Sequence, residues 1–149
     1  MTVRESIAKV NTEWKADSPI DGKNLEHAAM RQPVLNAKYL GYWTDARNAR
    51  RDAETKLLKM KKIKERFYNS LLTPPELKAH GWEPYGHNKP LKSDMAGIIE
   101  GDIHIIALQE EVDDLDTMLK QLILILDEIK SRSFSVTNTI NMRKFNAGE

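Results

Sequence analysis

Nine basic side chains crowd residues 44–66: Arg47, Arg50, Arg51, Lys56, Lys59, Lys61, Lys62, Lys64 and Arg66. Four acids, Asp45, Asp52, Glu54 and Glu65, stand among them. Most of the lysines have no carboxylate four residues away, so pairing within a helix does not account for the charge. Such a segment can neutralise the phosphates of a polyanion and release its counterions. Its end, Lys64-Glu-Arg66-Phe67-Tyr68, sets aromatic rings beside the cations. A phenol there can add base stacking. Lys59, Lys61, Lys62, Lys64, Arg66 and Tyr68 are therefore the candidate nucleic-acid contacts. On an ideal helix Lys59, Lys62, Arg66 and Arg51 fall opposite an apolar side made of Ala46, Ala49, Ala53, Leu57, Met60, Phe67 and Leu71. Lys64 falls at the edge of that apolar side, and Phe67 within it. The plainer alternative is a solvated basic face over an ordinary core stripe.

Other chemistry is missing. There is no cysteine, which excludes a thiolate metal site, a cysteine nucleophile and a disulfide framework, and suits a reducing compartment. No GxxxxGK[ST] loop occurs. His27, His80, His87 and His104 lack metal-ligand spacing. Glu110, Glu111, Asp113, Asp114 and Asp116 alternate with apolar positions and read as a solvated helix face. The chain is expected to work by binding, with no catalytic residue, metal or cofactor. Its net charge of +1 conceals a segregation, because residues 94–128 hold ten acids against one base, Lys120.

The elements that must position the basic segment follow from periodicity. The 149 residues suffice for one domain with a real core. Residues 3–16 read as an amphipathic helix with Val3, Ile7, Val10 and Trp14 on one face, halted near Asp17-Ser18-Pro19. A second helical stretch begins near Asn24, and Pro33 predicts a kink or break. Residues 44–72 form the basic helix, with Thr44 as its N-cap. Residues 73–92, with four of the six prolines, read as a loop in which Trp82 and Tyr85 serve as anchors or stack on a base. Short strands fit near 94–100. Asp102 opens a long helix over 103–130. Ile105, Leu108, Val112, Leu115, Leu119, Leu122, Leu126 and Ile129 alternate steps of three and four, a sustained heptad register. The stripe widens through Met118, Ile123 and Ile125, which suits a helix meeting neighbours on two sides. A turn at Ser131–Ser133 leads to a last helix, about 134–145, that folds back. Leu115, Leu119, Leu122, Leu126, Ile129, Phe134 and Phe145 are the expected oligomerisation residues, with an intramolecular bundle as the alternative. The expected fold is mainly α: an N-terminal helical region (1–72), a Pro/Gly-rich loop (73–92) and C-terminal oligomerisation helices (93–149). No apolar run approaches the length of a membrane span, and MTVRESIAKV holds no signal-peptide core.

The ending Leu126-Asp-Glu-Ile-Lys130-Ser-Arg-Ser-Phe134, followed by Asn141-Met-Arg-Lys-Phe145-Asn-Ala-Gly148, resembles the "IKSRGF…MRxFxAG" ending of the UvsY-type recombination mediators of T-even-like phages. Pro19-Ile-Asp21 with Leu25, and Lys64-Glu-Arg66 followed by aromatics, extend the likeness through nearly the whole chain. The chain departs from the pattern with Ser133 in place of a glycine, with Pro33, and in the 73–92 segment. The resemblance implies a ring-forming homo-oligomer, hexamer or heptamer, in the cytoplasm of an infected bacterial host. It implies binding of single-stranded DNA, and contact with the phage recombinase and the phage single-strand-binding protein. It places DNA binding on Lys64 and Arg66. Together these readings describe a mediator that loads a recombinase onto coated strands. The alternative is a structural coiled-coil scaffold whose basic helix meets an acidic protein.

Overall fold

The computed structural model describes residues 1–148, and within them every regular element is a helix. Helix α1, Val3–Asp17, opens with a reciprocal cap. The Thr2 hydroxyl accepts from the Glu5 N–H at 3.1 Å, and the Glu5 carboxylate accepts from the Thr2 N–H at 3.0 Å. It stops where the Asp17-Ser18-Pro19 cluster predicts.

Helix α2, Leu25–Tyr68, is a single helix where the sequence suggested two. Asn24 starts it, its side chain accepting from the His27 N–H at 3.2 Å. Pro33 lies inside and does not break it; the cost is one missing N–H and a crowded Ala29 carbonyl. Thr44 is not an N-cap. Its hydroxyl donates to the Leu40 carbonyl at 3.0 Å, a bond that seats a threonine inside a helix. Gly41, the weakest helix former between Leu35 and Thr44, is carried within the helix, so the two predicted stretches join. At the far end Ser70 takes a left-handed conformation (φ 58°), and the Leu71 N–H returns to the Arg66 carbonyl at 2.8 Å.

The expected loop 73–92 contains helix α3, Pro74–His80. Thr73 and Glu76 form its capping box, prolines fill the first turn where no N–H is needed, and Gly81 ends it at φ 71°. Residues 94–100 form no strand; helix α4, Met95–Glu100, occupies them.

Helix α5, Ile103–Asn146, also corrects an expectation, for it neither turns at Ser131–Ser133 nor folds back. The serine hydroxyls there donate to carbonyls one turn earlier, Ser133 to Ile129 at 3.0 Å and Ser135 to Ser131 at 3.2 Å. No glycine or proline interrupts the run, and with serine at 133 the helix has no residue that enters the left-handed region freely.

The chain divides into two compact units. The first takes Met1–Ala49 and the residues from Asp114 onward. Its core is Val10, Leu35, Tyr39, Ala46, Met118, Leu122, Ile125 and Ile129, flanked by Val3, Ile7, Trp14, Leu119 and Leu126. Tyr39 is fully buried and stands edge-on to Trp14, with centroids 5.4 Å apart. Its hydroxyl donates to Asp17 at 2.9 Å, beside the Arg31 guanidinium at 2.9 Å and the Lys38 ammonium at 2.7 Å. The second unit, Arg50–Asp113, buries Ala53, Leu57, Met95, Ile99, Ile105 and Val112.

Candidate nucleic-acid interface

The basic segment is the C-terminal half of α2. Its alanines, leucines, lysines and methionine favour helix, and no glycine or proline falls between Thr44 and Tyr68. Ala53 and Leu57 are buried on one side. Arg51, Lys59 and Lys62 stand exposed on the opposite side, as the wheel predicts. Lys56 is exposed and Lys61 half-buried. These five make no ion pair among the described residues. Arg51 is an addition to the candidate set.

Three sequence candidates are engaged elsewhere. Lys64 is buried, its side chain only 4% exposed, and its ammonium meets the Asp102 carboxylate at 3.0 Å. The same ammonium sits 3.8 Å from the centre of the Trp82 ring. The Tyr68 hydroxyl donates to Asp102 at 2.6 Å, while the ring stands edge-on to Tyr85 at 5.0 Å. Arg66 is partly exposed but forms a two-pronged pair with Glu76, at 2.9 and 3.1 Å. The wheel put Lys64 near the apolar side; the structure puts it within.

Asp102 is the residue that sequence reasoning valued too little. It does open α5, one oxygen accepting from the backbone N–H groups of His104 at 2.9 Å and Ile105 at 3.4 Å. The other oxygen holds Lys64 and Tyr68. Burial alone would raise its pKa. The bonds from Tyr68, Lys64 and the His104 N–H outweigh that and hold it below the usual carboxylate value. Reciprocally, burial and the bond to Asp102 push the Tyr68 phenol up to about 12. Trp82 anchors its segment by packing on Phe67 at 5.4 Å and by stacking with His80 at 4.3 Å. The Thr73-Pro-Pro-Glu76 string was the sequence signal for α3, and so for the partner of Arg66.

The expected oligomerisation residues separate into two groups. Leu122 and Ile129 are buried in the first unit's own core, with Leu119 and Leu126 packed against it, and Leu115 is buried as well. Phe134 and Phe145 are exposed, at 62% and 78%. Ile123 and Leu124 on α5, and Met30 and Val34 on α2, are exposed as well. No described helix is long and apolar enough to cross a membrane.

The family model described as "Recombination, repair and ssDNA binding protein UvsY" matches residues 13–149. The chain belongs to the UvsY family. Crystal structures of the bacteriophage T4 recombination mediator protein UvsY have the same fold. One, in lattice type II, aligns with a TM-score of 0.79 at 21% identity, covering 94% of this chain and 96% of that one. Another, in lattice type IV, gives 0.79 at 19% identity, covering 93% and 98%. No curated protein sequence matches. In this UvsY-family chain the Lys64-Glu-Arg66 motif thus lies beside, and partly beneath, the exposed cations rather than among them.

Proposed function

We propose that this chain is a recombination mediator. It binds single-stranded DNA along the exposed basic face of α2, and it helps a recombinase load onto strands coated with single-strand-binding protein. Membership of the UvsY family supports the class of function. The observation that carries the site is the set of exposed cations without ion-pair partners, Arg51, Lys59 and Lys62, on the side of α2 away from its buried residues. From Arg51 to Lys62 is about 16 Å of helix, and Lys56 and Lys61 flank them. The action is by binding, with no chemistry on the strand. The exposed apolar residues of α5, Leu124, Phe134 and Phe145, support assembly into a homo-oligomer, since a monomer gains nothing by leaving them in water. Repetition of the basic face in such an assembly multiplies a modest site through effective concentration.

The test is titration with single-stranded DNA over a range of salt, with sedimentation of the same samples. Lys59→Gln with Lys62→Gln is expected to lower affinity and to reduce the slope of log affinity against log salt by about 0.7 for each phosphate no longer neutralised. The sedimenting mass of the free protein should not change. An unchanged slope would reject this face as the DNA site. Competition by heparin but not by single-stranded DNA would favour the scaffold bound to an acidic protein.

A further inference from the structure

Lys64 and Arg66 are two residues apart on α2, and each reaches the start of a different downstream helix. Lys64 meets Asp102, the residue whose other oxygen caps α5. Arg66 meets Glu76, the acid of the capping box that starts α3. The same Glu76 accepts from the Thr73 N–H at 3.3 Å and hydroxyl at 3.0 Å. Trp82, which follows the Gly81 that ends α3, covers the Lys64 ammonium. Both cations of the motif are therefore spent within the second unit. A phosphate could reach Lys64 only by displacing Asp102 and Trp82, and a carboxylate stripped of its partner in that buried place is strongly unfavourable.

We infer that Lys64 and Arg66 are positioning residues: they fasten the first turns of α5 and α3 to α2, and they do not themselves contact the strand. The consequence for DNA is indirect. The inference rests on the reading that the exposed α2 cations bind the strand, because the clamp keeps α2 and its neighbours in one arrangement beneath them. Loss of the Lys64 ammonium leaves Asp102 charged and buried, which loosens the α5 start and weakens DNA binding even though no phosphate contact is removed.

The decisive experiment is a rescue. In Lys64→Met the buried carboxylate loses its counter-charge. In Lys64→Met with Asp102→Asn the charge is gone, asparagine still caps α5, and its amide can donate to the Tyr68 oxygen. Hydrogen exchange at the amides of residues 103–106 and single-stranded DNA affinity are read on the full-length chain. Lys64→Met should speed exchange at those amides by about tenfold or more and weaken DNA binding. The double variant should recover the protection, the affinity to within about threefold, and the wild-type salt slope. Recovery of protection without recovery of affinity or slope would overturn the inference and restore Lys64 as a direct contact. Unchanged exchange in Lys64→Met would overturn it too. Arg66→Gln, at a partly exposed pair that does not threaten folding, supplies a second arm. It should leave the salt slope unchanged, and a slope reduced by about 0.7 would make Arg66 a phosphate contact. If Lys59→Gln with Lys62→Gln leaves DNA binding intact while Lys64→Met still loosens α5, the clamp stands and the placement of the DNA site fails.

Discussion

At the scale of single residues, two carboxylates organise this protein, Asp102 buried and Asp17 half-buried. Asp17 collects Arg31, Lys38 and Tyr39; Asp102 collects Lys64, Tyr68 and two backbone N–H groups. Burial would raise the pKa of both. In each case the bonds outweigh it and hold the pKa below the ordinary value, so the folded state binds protons less readily than the unfolded chain. Stability from these groups is complete above about pH 4 and is lost as pH falls through the lowered values. The alkaline side has the opposite sign. The Tyr68 phenol, raised to about 12, keeps its proton in the folded state while the unfolded phenol titrates near its ordinary value of 10.0. Its contribution is therefore full below about pH 10 and fades as pH climbs toward 12. Melting temperature followed from about pH 3 to 12 should decline at both ends, and Tyr68→Phe should soften the alkaline decline. An alkaline limb identical in Tyr68→Phe would remove that phenol from the account. Neither hub was visible as such in the sequence. Asp17 read as part of a helix stop and Asp102 as an N-cap, both true, but partners 14 to 38 residues away leave no local pattern.

At the scale of elements, the sequence was legible wherever local chemistry decided the outcome. The α1 stripe, its stop at Asp17 and the Asp102 cap stand where periodicity and capping put them, and the basic segment is helical as its periodicity predicts, though as part of a longer helix that begins at Leu25 and ends at Tyr68. It was misread where a usual breaker met a strong context. Pro33, Thr44 and Ser131–Ser133 each suggested an end, yet α2 and α5 run through them. Hydroxyls that bond the preceding turn resolve the threonine and serine cases. Pro33 differs, because nothing repairs its missing N–H, so it should carry a cost. A proline inside a helix is worth roughly 3 kcal/mol against alanine. Its stiffening of the unfolded chain returns about 0.4–1 kcal/mol. Pro33 is exposed, so Pro33→Ala removes little packing. That variant is expected to gain about 2–2.5 kcal/mol by chemical denaturation. A loss of stability would mean that proline suits this turn of α2. The heptad of α5 carries a related lesson. An alternation of threes and fours specifies a seam but not whose helix fills it, and Leu122 and Ile129 sit in one core with residues of α1 and α2 of their own chain.

At the scale of the whole molecule, the first unit is assembled from the two ends of the chain. Arg4 pairs with Asp114 at 3.1 Å, Gln121 reaches Asn11, and Arg132 reaches the Ser18 carbonyl, each across more than a hundred residues. This has a consequence in time. During synthesis, α1 and the first half of α2 emerge with Val10, Leu35 and Tyr39 uncovered. They wait about 80 residues for Ile129 to emerge, on the order of 4–16 s at typical elongation rates. The contacts among Asp17, Arg31, Lys38 and Tyr39 span at most 22 residues, so they are the ones that can hold the early hairpin together meanwhile. A chain cut after Asp113 freezes that waiting state. It should be produced insoluble or bound to chaperones, and supplying residues 114–149 as a separate peptide should bring it back into solution. A soluble, cooperatively melting fragment without the peptide would mean that the N-terminal half needs no cover from α5.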